Sequence, residues 1–222
     1  PLLVALGCAV CALALVVAAV AVVLHHDAAA LAAVQAALWA GLALVFVVVA
    51  HRMIPFFTAA ALPSLDAWRP RALLVLLAAG VVLQAPFAAA QAWGGTLAPD
   101  LAGLRAAFEL PFGALLLWLA LRWGLVQSLK IRLLAMLHMG FFWLGVAFTL
   151  GGVSDVLAAT SEGQLSLGLA PLHALTMGYL GATLFAMATR VACGHSGRTL
   201  VADDWAWAFF WAAQVAVAAR VG

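Results

Sequence analysis

The residues able to do chemistry are few, and six histidines lead them: His25, His26, His51, His138, His173 and His195. An imidazole ligates haem iron or copper, and its charge changes near neutral pH. His138, in LHMGFFWLG, and His173, in APLHALTMGYLG, lie in or at the edge of long apolar runs. A polar side chain is costly there and is a functional candidate for that reason. For His138 two readings stand side by side, ligation and a hydrogen bond to a neighbouring helix. Met177 follows His173 by four residues, which puts both on one helix face. That pair suits haem or copper, with core packing the simpler account of the methionine. His25 and His26, beside Asp27, either lie solvated in a loop or join His173 on one side of a membrane. His51 and Arg52 close the second apolar run. Glu109, two residues before Pro111, is either a proton-path carboxylate or the ion-pair partner of Arg105 at i−4. In MATRVACGHSGRTL, glycines flank a His-Ser pair, and Arg190, His195 and Arg198 crowd together. This reads as a tight turn that holds an anion, or as a basic structural anchor. Cys8 and Cys11 have C-x-x-C spacing inside an unbroken apolar run and read as small hydrophobes. No H-E-x-x-H, G-x-S-x-G or Walker loop is present, so hydrolytic chemistry has no recognisable nucleophile.

The elements that must position these residues follow from composition. Of 222 residues, 68% are hydrophobic and 8% charged, far from the balance of a soluble globule or a disordered chain. The mean hydropathy is +1.18. A net charge of +2 from dispersed basic residues excludes nucleic acid as a partner. The fold class expected is all-α, a polytopic transmembrane helical bundle of about seven spans in a single domain over 1–222, embedded in a lipid bilayer. A bilayer core of about 30 Å needs roughly 20 apolar helical residues. The matching runs are 1–24, 31–50, 72–93, 103–121, 131–152, 169–193 and 201–220, the last opened by Asp203 and Asp204 and closed by Arg220. With alternating spans, Arg52, Arg69, Arg71, Arg122, Lys130, Arg132, Arg190 and Arg198 fall on one side, and Arg105 and Arg220 on the other. The basic side is then cytoplasmic. Ser154–Gly168 reads as an outside loop.

Three segments taken together resemble the NnrS family. They are HRMIPFFT at 51–58, LHMGFFWLG at 137–145 and HALTMGYLGATLFAMATRVACGHSGR at 173–198. The last is the most specific, with His173, Thr176, Gly178, Gly181, Met187, Arg190, Gly194, His195, Gly197 and Arg198 matching the family pattern. In the first, Arg52, Ile54, Pro55, Phe56, Phe57 and Thr58 match, and Arg52, Pro55 and Thr58 are its family-motif residues. His51 replaces the family's usual glycine. Nothing here matches the W-H-x-x-E-M motif of the family's N-terminal half, so the chain is similar to the C-terminal half of proteins of about twelve spans. The resemblance implies a multi-pass protein of the bacterial inner membrane that carries haem b, with copper a further candidate, and acts in nitric oxide metabolism or resistance to nitrosative stress. Nitric oxide is then a candidate ligand, and denitrification the setting. The resemblance shifts His138 and His173 toward ligation, without placing both on the same iron, since they enter from opposite faces. Turnover of nitric oxide is not implied. A multi-span transporter of a metal or small solute is the alternative, supported by Glu109 and the glycine- and proline-interrupted spans.

Overall fold

The computed structural model describes residues 2–66, 68–196 and 201–222, and every regular element among them is helical. The first helix, α1 (Leu2–Val23), is an unbroken apolar run. It stops where His25 takes φ 57°, the left-handed conformation that ends helices. Asp27 opens α2 (Asp27–Ala36), where a carboxylate suits the positive helix start. That helix continues through a π-helical stretch, π1 (Ala37–Ala43), into α3 (Leu44–Ala61). Then follow α4 (Arg71–Gly94), α5 (Pro99–Arg122), the short α6 (Leu125–Ser128) and the long α7 (Arg132–Thr160). A second composite helix runs from α8 (Ala170–His173) through π2 (Ala174–Gly181) to α9 (Ala182–His195), and α10 (Asp204–Val221) closes the described chain.

Two compact units emerge. The first comprises Pro1–Met53 and Arg69–Ala102, and the second comprises Ile54–Trp68 and Gly103–Gly222. In the first, α1 packs on α2 and π1, and α2 and π1 pack on α4. A Cβ added at Gly41 would collide with Cys11 Sγ and stand 3.2 Å from Gly7 O, so bare glycine faces let α1 and π1 touch. Cys11 Sγ donates to Ala37 O at 3.6 Å, and Cys8 is exposed. Both behave as small packing residues.

In the second unit α7 is the central helix, with its core side buried from Leu133 to Asp155. A Cβ at Gly140 would stand 2.6 Å from Thr183 Oγ1, one at Gly145 2.8 Å from Leu117, and one at Gly178 2.6 Å from Trp143. These approaches place α5 and the α8–π2–α9 helix directly on the α7 backbone. Without a hydrophobic drive between helices in lipid, such packing is what holds them together.

Among the described residues, six helices are long and apolar enough to cross a membrane: Leu2–Val23, Asp27–Ala61, Arg71–Gly94, Pro99–Arg122, Arg132–Thr160 and Ala170–His195. The seventh expected run, α10, is shorter and is diluted by tryptophans, Gln214, Asp204 and Arg220. It nevertheless extends through the unit beside α8, π2 and α9. At its start Asp204 pairs with Arg132 at 2.7 Å, and at its end Arg220 O meets His173 Nδ1 at 3.3 Å.

Two spans outrun the expected limits. The second reaches Ala61 instead of residue 50, with Pro55 inside the helix. The fifth reaches Thr160 instead of 152, so Ser154 and Asp155 are helical and not part of a loop. Proline and paired glycines break helices in water; in membrane spans neighbouring helices satisfy and cover the exposed backbone.

Candidate functional site

Residues from all three family-like segments meet inside the second unit. Thr58, from the last turn of α3, lies 2.9 Å from His138 Nε2 on α7. One residue earlier, the Phe57 ring lies under the Arg190 guanidinium of α9, 3.8 Å from centroid to Cζ. The IPFFT segment therefore ties the α7 histidine to the α9 arginine through adjacent residues. A Cβ added at Gly124, whose φ is 103°, would stand 3.4 Å from Thr58 Cγ2, so the α5–α6 turn closes against that threonine. Trp123 Nε1 donates to Trp68 O at 3.0 Å, and its ring lies 4.9 Å from Phe141. His138 is 0% exposed.

His138 and His173 share one pattern. At His138, Nε2 is tied to a neutral hydroxyl, and the buried Nδ1 has no hydrogen-bond partner. At His173, Nδ1 is tied to the Arg220 carbonyl, which makes Nδ1–H the donor and leaves Nε2. A neutral oxygen on one ring nitrogen, with the other left over, is how a ligating histidine is oriented. The two do not converge. Gly140, two residues after His138, faces Thr183, ten residues beyond His173. At 1.5 Å per residue that is about 15 Å along the helix, too far to share an iron. His173 immediately precedes π2, a kind of helix distortion frequent at functional sites. Met177, on π2, is 37% exposed, so core packing does not account for it.

The other expected positions are structural or peripheral. His51, 7% exposed, bonds Pro70 O through Nε2 at 3.2 Å, and the Arg52 carbonyl accepts from Arg69 Nη1 at 3.1 Å. Pro55 is buried within α3. His195 is the exposed last residue of α9. Arg198 lies outside the described residues. His25 and His26 form the α1–α2 turn. Among the described residues, no group of three His, Cys, Asp or Glu side chains is placed to hold a metal ion.

One constellation goes beyond the sequence reading. Arg105 Nε lies 3.1 Å from Glu109 Oε1 and 3.5 Å from Asp155 Oδ2, with side-chain exposures of 10%, 2% and 10%. The i,i+4 pair was legible; its third member, Asp155, was hidden by the reading of Ser154–Gly168 as a loop. Gly151 makes room, because a Cβ there would stand 2.7 and 2.8 Å from the Glu109 oxygens.

The family model described as NnrS protein matches residues 1–222. No curated protein and no solved structure matches.

Proposed function

The chain belongs to the NnrS family, and from that premise we propose that it is a membrane haem protein of the nitric oxide response. Family membership by itself suggests a role in that response; haem, and the residues that hold it, are the finer reading. One observation supports it above the others: both intramembrane histidines of the family-like segments keep one ring nitrogen tied to a neutral oxygen and the other left over.

Haem brings four nitrogen ligands of its own, so one histidine of the chain would be enough to hold it. A reading through haem therefore needs no cluster of three protein ligands. His173 would hold the iron as it stands, being partly exposed with Nδ1–H donated to Arg220 O. His138 fits through Nδ1 only, with Nε2–H donated to Thr58, and the packing around it must open to admit a macrocycle. When bound, haem iron supplies a site for nitric oxide. The chain's own part is to orient the imidazole, hold it neutral and keep bulk water away. The basic loops face the cytoplasm in this proposal, and the membrane is the bacterial inner membrane.

Absorption spectra of the purified protein, oxidised, reduced and exposed to nitric oxide, test the reading. A Soret band that shifts in both steps, and is lost in His173→Ala with expression unchanged, is the expected result. A protein that carries no haem and takes none up on titration contradicts it.

The transporter reading keeps one specific support, the buried Arg105–Glu109–Asp155 cluster, because intramembrane charges mark ion and substrate paths. Substrate-dependent uptake into vesicles by haem-free protein favours it.

A further inference from the structure

We propose that Arg190 anchors an oxyanion site that takes the phosphodiester of an anionic lipid headgroup. The guanidinium is pinned and does not extend freely to water, since it lies 3.8 Å from the Phe57 ring centroid. Ring stacking covers one face and leaves the N–H donors at the guanidinium edge. Among the described residues, no carboxylate pairs with Arg190 and none of its donors has a hydrogen-bond partner. Arg132, at the start of α7, is in a different state: it pairs with Asp204 at 2.7 Å and donates to Ala202 O at 3.1 Å. A partly buried cation without an anion is costly, and a bidentate oxyanion removes that cost.

Place selects the source. The span Ala170–His195 has 26 residues, about 39 Å if α-helical throughout, against a hydrocarbon core of about 30 Å. Arg190 stands five residues before the end of α9, about 7.5 Å in, which is the boundary between acyl chains and headgroups. The antiparallel contacts of Gly140 with Thr183 and Gly178 with Trp143 bring Arg190 level with the first turn of α7. Lys130 and Arg132 line a cavity of about 240 Å³ at that same end, together with Ile131, Leu133, Val201 and Ala202. A phosphodiester reaches this depth as part of the bilayer. Free phosphate shares the chemistry but arrives only from water.

The test is thermal unfolding of the purified full chain in a neutral detergent, titrated separately with phosphatidylglycerol, phosphatidylcholine and inorganic phosphate. Phosphatidylglycerol is expected to raise Tm saturably, with phosphatidylcholine weaker. In Arg190→Gln the half-saturating concentration should rise about tenfold or more, the loss expected for one charge-assisted pair. Arg190→Lys, which loses the fork and the stacking, should recover only part of the effect. Arg122→Gln, removing an exposed cation paired with Asp66 at 3.4 Å, should leave it intact. Where Arg190→Gln does not fold, Phe57→Leu must weaken the same response by removing the platform. An unchanged response in Arg190→Gln, or in Phe57→Leu when that variant is the one read, overturns the proposal. So does a full Tm shift from inorganic phosphate alone, which assigns the site to a soluble oxyanion. Absence of any phosphatidylglycerol effect on the wild type overturns it as well.

Discussion

Removing the Arg105 guanidinium leaves two carboxylates buried in the second unit, and the cost follows from the geometry. Arg105 meets Glu109 at 3.1 Å and Asp155 at 3.5 Å, while Glu109 is almost wholly buried and Asp155 keeps 10% of its side-chain surface. Breaking a buried ion pair by deleting one partner costs about 3–5 kcal/mol, because an uncompensated charge remains. The residual exposure argues for the lower end, about 3 kcal/mol, or roughly a hundredfold in the folded-to-unfolded ratio. Arg105→Met, which keeps the aliphatic stem, is the variant to measure by reversible unfolding in mixed micelles. The triple variant Arg105→Met, Glu109→Gln, Asp155→Asn removes every charge and should recover most of the loss. If Arg105→Met lies within about 1 kcal/mol of wild type and the two amides add nothing, the cluster does not hold α5 to α7 and the reasoning fails.

Three further outcomes follow from single contacts. Thr58→Val keeps shape but strands His138 Nε2, and should cost about 1–3 kcal/mol in the same unfolding assay. If His138 also ligates, the lost outer partner should weaken haem binding about 10- to 100-fold, read by haem titration. Gly140→Ala drives a methyl to 2.6 Å from Thr183 Oγ1 and 3.0 Å from Thr183 N, so it should destabilise by about 1–3 kcal/mol or more. A Gly140→Ala protein as stable as wild type would show that α7 and α9 do not touch there. Trp143→Phe removes the 2.7 Å bond to Gln214 Oε1, a side chain whose Nε2 is already buried without a partner, and should lower stability by about 1–3 kcal/mol.

The spans were legible because an apolar run of twenty residues has few other uses, and the structure places helices over all seven expected runs. Their ends were less legible. Ser154 reads as the start of a loop, yet Gly151 and Gly152 just before it admit Glu109 and Leu110 from α5 while the helix continues. Asp155 consequently joined the charged cluster unannounced. His51 and Arg52 likewise read as the end of the second run, although α3 continues past Pro55 to Ala61. The Arg105–Glu109 pair was visible because i,i+4 spacing is local. The contacts of Thr58 with His138 and Phe57 with Arg190 join residues far apart in the chain, and no local period encodes them. Their one sequence signal was that all four sit in the segments similar to the family. Met177 was read from α-helical spacing, but π2 bonds i to i+5, and the side chain is left partly exposed.

The most direct test of the central claim is the haem content of the purified protein, measured side by side for wild type, His173→Ala and His138→Ala. The account predicts a Soret band in wild type that is lost in His173→Ala, with both variants present in the membrane at wild-type levels. Full haem occupancy in both variants, or no haem in the wild type even after titration, contradicts it.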